Sequence, residues 1–198
     1  SANLARLYRR WSDLESTPQA KRDRLSAASE HYRQATTLSP QNAQLWNEWA
    51  TVNLSLHDVD LQLNNDQGAA DLQKAQDLLD HSLTIDSQYN QTYIIRGQLD
   101  RFSGKNDEAI QEYQKGLKWN PDCTDCWAGI SDILSSAGNY TEVETVTLAF
   151  LQTHADFVPG LRTLARNVYI PSGRLGQAIE TQSRVVSLAD QDPNVWDD

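Results

Sequence analysis

Three kinds of residue recur along this chain at the same intervals, and this repetition limits the folds that the chain can adopt. Intervals of 47, 34, 34 and 35 residues separate the bulky side chains Trp46, Tyr93, Trp127, Leu161 and Trp196. The same intervals separate the small residues Ala28, Ala75, Ala109, Val143 and Ala178. They also separate the turn positions Pro40, Ser87, Pro121, Ala155 and Asp190. A constant period of this length indicates a stack of similar supersecondary units.

Within each period, the apolar residues follow the spacing of an amphipathic helix. Between 106 and 118, one stripe contains Ala109, Ile110, Tyr113 and Leu117, as expected for a helix with one buried face. Glycines stand where the chain reverses inside a unit, at Gly104, Gly138 and Gly173. The sequence predicts first helices over 42–57, 88–103, 122–137 and 157–170, and second helices over 69–84, 106–118, 140–154 and 174–189.

The 34-residue unit resembles the tetratricopeptide repeat (TPR), a pair of antiparallel helices. The resemblance is carried by Tyr93-Ile94-Ile95-Arg96-Gly97, by Ala109 with Tyr113, and by the closing Pro121. The following unit opens with Trp127, as far beyond Pro121 as Trp46 lies beyond Pro40. Departures from the pattern occur at Val143, Gln182, Ser87, Ala155 and Asp190. The resemblance covers nearly the whole chain and implies an all-α fold, a right-handed TPR solenoid of about five antiparallel helix pairs.

The register divides the chain into a single array of repeats. We expect a divergent or capping pair over 1–40, a repeat with an insertion over 41–87, and regular repeats over 88–121, 122–155 and 156–190. Residues 191–198, with Trp196, are interpreted as the start of a truncated further repeat. The insertion adds 13 residues between Trp46 and Ala75. It predicts two longer helices joined by a turn at 64–68, and a protruding hairpin that contacts a partner is the alternative.

Several kinds of chemistry are excluded or disfavoured. A net charge of −10 argues against nucleic-acid binding, which requires a surplus of Lys and Arg. A calcium loop starting at Asp58 would need Gly and Glu where Leu63 and Ala69 stand. The pair Cys123 and Cys126 forms a C-x-x-C without the strand context of a redox enzyme, so we interpret both as small apolar fillers rather than a disulfide or a redox centre. We expect no metal, no cofactor and no catalytic residues in this segment.

The concave face of a TPR array is lined mainly by the first helix of each pair, and the resemblance implies that a partner binds there. By register, the candidate groove residues are Asn47, Thr51, Gln98, Arg101, Asp132, Arg162 and Arg166, with Gln44 and Asp125 beside them. Chaperone-binding members of the family hold a peptide carboxylate with a Lys/Asn/Arg clamp. The matching positions here are Asn47, Thr51, Gln98 and Asp132, which do not support that clamp. The three arginines could hold a carboxylate or phosphate, or pair with surface acids.

The predicted function is therefore a protein-interaction scaffold that binds a partner peptide or helix. A second hypothesis comes from the runs 2–11, 38–40 and 45–50, which look like TPR tails of bacterial O-antigen ligase or polymerase proteins. That resemblance implies a regulatory or assembly domain of a membrane-bound glycan-assembly enzyme. A third hypothesis is self-association through the repeat ends. No stretch is apolar enough to span a membrane, and the sequence leaves the compartment open.

Overall fold

The computed structural model describes residues 2–191, in which all regular structure is helical and no strand occurs. The prediction of an all-α fold is confirmed. Trp196 and the proposed further repeat over 191–198 lie beyond the described residues, apart from Gln191, which ends the last helix. The chain divides into two compact units between Asp122 and Cys123, and each unit is described separately. Among the described helices, none has both the length and the apolar content needed to cross a bilayer.

The first unit contains three helix pairs. Its helices are α1 Ala2–Ser12, α2 Pro18–Leu38, α3 Ala43–Gln62, α4 Gly68–Ile85, α5 Asn90–Phe102 and α6 Asn106–Trp119. Each helix packs against its partner in the pair, and α3 and α5 also pack on the preceding second helices, α2 and α4. One apolar core extends from Ala5 in α1 to Leu99 in α5. No pair encloses its apolar side alone, as expected for a repeat architecture.

The second unit continues the same pattern. It contains α7 Thr124–Ser136, α8 Tyr140–Leu151, α9 Val158–Thr163, a π-helical segment Leu164–Tyr169 and α10 Leu175–Gln191. The aromatic residues Trp127, Phe150 and Phe157 pack against one another between α7, α8 and the start of α9.

The π-helical segment corrects the prediction of one continuous α-helix over 157–170, and the repeat length explains it. Leu164 is buried like Ile130, which lies 34 residues earlier, whereas Val168 is buried like Ile133, which lies 35 residues earlier. The extra residue of this repeat therefore enters between Leu164 and Val168. A π-helical turn absorbs one added residue inside a helix, so the buried positions on both sides keep their register.

The four reversals inside the repeats after α2 end the first helix in the same way. Each places one residue in the left-handed region, with φ of 52°, 72°, 74° and 72°. The next backbone N–H then donates to a carbonyl five residues earlier, at 2.8 to 2.9 Å. This Schellman geometry favours glycine because no Cβ clashes at positive φ. The residues concerned are Asn64, Gly104, Gly138 and Gly173.

The insertion lengthens both helices of its pair, as one of the two expectations held. Helix α3 has 20 residues and α4 has 18, against 13 in α5 and 14 in α6. At the base of this hairpin, the buried Asp60 pairs with Arg22 of α2 and accepts a hydrogen bond from Asn65 Nδ2 at 3.1 Å. Buried charges are stable only when paired, so this cluster attaches the longer hairpin to α2.

Candidate functional site

An open groove of about 590 Å³ lies between α3 and α5 in the first unit. Its residues are contributed by exposed sides of the two helices and by the start of α2. Helix α3 provides Thr51, Leu54, Ser55 and Asp58, helix α5 provides Gln98, Arg101 and Phe102, and α2 provides Lys21. Three of the predicted groove residues, Thr51, Gln98 and Arg101, are thus brought together by the fold. Their role in binding a partner stays a prediction.

A buried polar cluster holds α3 and α5 beside each other. Asn47 Nδ2 donates to Thr92 Oγ1 at 2.8 Å, and Thr92 Oγ1 lies 3.2 Å from Ser82 Oγ of α4. Ser82 Oγ also donates to the backbone carbonyl of Ala43 at 3.3 Å. Buried hydrogen bonds of this kind fix the relative position of helices, because breaking one leaves an unsatisfied polar group. The groove therefore has rigid walls.

The prediction that Asn47 lines the groove is wrong. Its side chain is only 1% exposed and is used in the buried cluster between α3 and α5. The equivalent position 47 residues later is Ile94, which is 5% exposed. An apolar residue at the same register position was the signal that this side of the first helix faces the core.

The walls of the groove offer hydrogen-bond acceptors and donors at its centre. Thr51 Oγ1 donates to the Asn47 carbonyl at 3.0 Å, and Ser55 Oγ donates to the Thr51 carbonyl at 3.1 Å. Each hydroxyl has used its proton on its own helix, so its oxygen keeps lone pairs for a ligand. The exposed amide of Gln98 adds two donors and an acceptor on the opposite wall. This combination matches the N–H and C=O groups of a peptide backbone.

An aromatic side chain stands at one end of the groove. Phe102 is 48% exposed, and its ring makes an edge contact with the buried His57 at a centroid distance of 5.7 Å. His57 Nδ1 lies 2.9 Å from the Gly68 carbonyl oxygen at the start of α4. A Cβ on Gly68 would lie 2.9 Å from the same Nδ1 atom. Glycine at the end of the insertion turn therefore lets His57 support the aromatic wall.

The charges around the groove favour an acidic ligand weakly. Lys21 and Arg101 carry positive charge, and Asp58 carries negative charge. The Asp58 carboxylate already accepts a hydrogen bond from Gln62 Nε2 at 3.0 Å. The groove thus has a net positive charge in a chain whose total is −10. A positive site in an acidic protein concentrates acidic partners near it.

The remaining predicted groove residues lie in the second unit. Asp132 of α7 and Arg166 of the π-helical segment are exposed, and Arg162 of α9 is partly buried. Asp132 and Arg166 follow Gln98 at successive intervals of 34 residues, so all three occupy the same position of the repeat. The family's carboxylate clamp stays without support, because Asn47 is buried and Thr51, Gln98 and Asp132 carry no positive charge.

The interpretation of Cys123 and Cys126 as apolar fillers is wrong, because the two residues form a disulfide. Cys123 is the N-cap of α7, and Cys126 lies one helical turn further on, which places their Cα atoms 5.3 Å apart. That separation is within the range that a disulfide spans. Both residues are buried, whereas an exchange reaction requires access to sulfur. The bond therefore staples the first turn of α7.

The other titratable cluster lies at the base of the insertion and is structural. Burial, followed by a hydrogen bond and repulsion from Asp60, raises the pKa of Asp71 to about 6. Arg22 and Lys74 oppose this shift. Over residues 2–191, no group of three or more His, Cys, Asp or Glu side chains could hold a metal ion.

Comparison with known proteins supports the repeat assignment. Residues 91–123 match the family model described as tetratricopeptide repeat. The structure is similar to that of MamA, with a TM-score of 0.61, 13% identity, and coverage of 87% of this chain and 92% of that chain. It is also similar to TTC0263, a thermophilic TPR protein of Thermus thermophilus, with a TM-score of 0.59, 14% identity, and coverage of 92% of this chain and 89% of that chain.

A further similar structure is YrrB, described as a TPR protein with an unusual peptide-binding site. Its TM-score is 0.55 at 14% identity, with coverage of 94% of this chain and 86% of that chain. At these identities the similarity shows the fold alone. No curated protein matches the chain.

Proposed function

We propose that this array of TPR-type helix pairs is an interaction scaffold that binds an extended peptide or helix of a partner protein in the α3–α5 groove. Folds of this type generally serve as scaffolds rather than enzymes. The observation that carries the proposal is the groove itself, in which hydrogen-bonding groups of Thr51, Ser55 and Gln98 stand beside an exposed aromatic ring. Polar groups on rigid walls give a peptide its register, and apolar contact gives it affinity.

The chemistry of the groove specifies the partner segment further. Leu54 and Phe102 form an apolar patch that suits one apolar side chain of the ligand. Lys21 and Arg101 favour an acidic residue near that side chain, because charge-assisted hydrogen bonds are stronger than neutral ones. The volume of about 590 Å³ falls within the usual range for ligand pockets. It accommodates a few residues of peptide rather than a whole domain.

A peptide-display library tests the proposal with no partner specified in advance. Peptides are selected on the native chain and counter-selected on a Ser55→Trp variant, in which the indole fills the groove. Gln73→Trp is the matched control, since Gln73 is an exposed residue of α4 outside the groove. Isothermal titration should then show that selected peptides bind the native chain and the control, and that Arg101→Ala weakens acidic peptides most.

The outcomes are distinct. Recovery of acidic peptides with one apolar residue, lost on Ser55→Trp, supports the groove as the binding site. Peptides that bind Ser55→Trp and the native chain equally would place recognition elsewhere and contradict the proposal.

The alternative function, a regulatory or assembly domain of a membrane-bound O-antigen ligase or polymerase, has no support from the comparisons. Neither the family match over residues 91–123 nor the similar structures described above concern glycan assembly. The reading frame of the gene tests this alternative directly. A polytopic segment in the same polypeptide would favour it, and a frame without such a segment would remove it.

A further inference from the structure

Helix α1 has an apolar face that no described residue covers. Its opposite face, with Ala5 and Ser12, is buried in the fold. Four side chains at helical spacing in and just after α1 are 43% to 83% exposed: Leu4, Leu7, Trp11 and Leu14. Repeat arrays normally end in a polar face, because an uncovered apolar stripe lowers solubility. This stripe is therefore a candidate interaction surface.

Helix α10 also has an apolar face that the described part of the chain leaves uncovered. Ala178 and Val185 point into the second unit and are buried. On another side of the helix, three apolar side chains are 42% to 68% exposed: Leu175, Ile179 and Val186. The two units thus each have one helix with an exposed apolar stripe.

The repeat register identifies what would normally cover α10. The residues 150 positions before Leu175, Ile179 and Val186 are Leu25, Ser29 and Thr36 of α2, and all three are buried. Helix α3, the first helix of the next pair, packs on α2, where Trp49 Nε1 donates to Ser29 Oγ at 2.7 Å. The stripe on α10 is therefore the surface on which the first helix of another pair packs. Within the described residues, no such helix follows α10.

We propose that α1 of a second copy of this chain packs on α10 and joins two molecules head to tail. Helix α1 is the first helix of a pair, so it is the kind of helix that this surface accepts elsewhere in the fold. The stripe from Leu4 to Leu14 is about 15 Å long and the stripe from Leu175 to Val186 about 16 Å long, at 1.5 Å per residue. The two apolar surfaces match in length as well as in type.

The charges around the stripes favour this heterologous contact over a symmetric one. Helix α1 contains Arg9 and Arg10 in its last turn and no acidic residue. Helix α10 has Glu180 and Asp190 exposed beside its stripe. A symmetric α1–α1 contact would bring the arginines of two copies together, whereas α1 on α10 brings them towards carboxylates. A contact between two different surfaces leaves one surface open at each end and allows further copies to add.

Charged substitutions in the two stripes test the proposal by light scattering over a dilution series. The variants are Leu7→Glu, which blocks the α1 stripe, and Ile179→Glu, which blocks the α10 stripe. Both residues are more than half exposed, so circular dichroism should show that the variants keep the fold. Leu38→Glu is the control, because Leu38 is 79% exposed at the end of α2 and belongs to neither stripe.

The native chain and Leu38→Glu are expected to increase in mass with concentration beyond the dimer. Each stripe variant alone should remain monomeric. An equimolar mixture of Leu7→Glu and Ile179→Glu should form a heterodimer and nothing larger, because one intact α10 stripe meets one intact α1 stripe. Ser55→Trp, which fills the peptide groove, should leave this association unchanged, so the two proposals fail independently.

Three results would overturn the proposal. The native chain would remain monomeric at all concentrations, the mixture of the two stripe variants would fail to associate, or either variant would still dimerise on its own. The last result would indicate a symmetric contact instead.

Discussion

Replacing Gly97 with alanine tests the close packing of α5 against α6. A Cβ at Gly97 would lie 2.5, 2.6 and 2.8 Å from three ring atoms of Tyr113, which is itself buried. Relieving such overpacking costs about 1–3 kcal/mol. Alanine also favours a helix over glycine by about 1 kcal/mol. We therefore expect Gly97→Ala to lower the free energy of unfolding by about 1–2 kcal/mol.

The measurement is urea unfolding followed by far-UV circular dichroism, with the midpoint compared at an unchanged slope. Gly176→Ala is the matched control, because no atom lies within 4 Å of a Cβ at that helical position. It should raise stability by up to about 1 kcal/mol. In a Tyr113→Leu background, where the ring is absent, Gly97→Ala should lose its cost. The packing argument is refuted if Gly97→Ala stabilises the native chain as much as Gly176→Ala does.

Three further predictions concern single residues. Because the folded pKa of Asp71 is raised to about 6 from 3.8, the fold loses stability as pH rises through that range; Asp71→Asn should remove this loss and stabilise the chain at pH 8 by about 1–2 kcal/mol after allowing for solvent screening, measured by urea unfolding at several pH values. Asn64→Gly, at the left-handed φ of 52°, should raise the thermal midpoint through up to about 1 kcal/mol, and a lower midpoint would contradict the turn geometry. Reducing the disulfide of Cys123 and Cys126 should cost no more than about 2 kcal/mol, since it closes a short loop; mass spectrometry after alkylation without reductant should detect no labelled cysteine.

Much of the fold could be predicted from the repeat register. The glycines at 104, 138 and 173 indicated the reversals because only a residue without Cβ adopts positive φ at no cost. The interval of 35 residues already contained the extra residue that the π-helical segment absorbs. It was missed because helical periodicity over 157–170 does not distinguish an α-helix from a π-helical turn within it.

The candidate site was predicted only in part, because register places a residue on a helix without fixing which neighbour covers it. Thr51 and Gln98 occupy equivalent positions and both line the groove. Asn47 is polar but buried, since Thr92 and Ser82 satisfy its amide across two other helices. Such a pairing between residues 45 positions apart leaves no trace in local sequence. The exposed stripes of α1 and α10 likewise depend on which helices are absent beside them.

Photocrosslinking from the groove tests the central claim most directly. A benzophenone-bearing residue replaces Gln98 on the groove wall or, as the control, Gln114, an exposed glutamine of α6 on the same helix pair. A peptide selected on the native chain is added, and the crosslinked products are identified by mass spectrometry. The account predicts efficient crosslinking from position 98 and none above background from position 114. Equal crosslinking from both positions, or crosslinking from position 114 alone, would contradict the claim that the α3–α5 groove receives the partner.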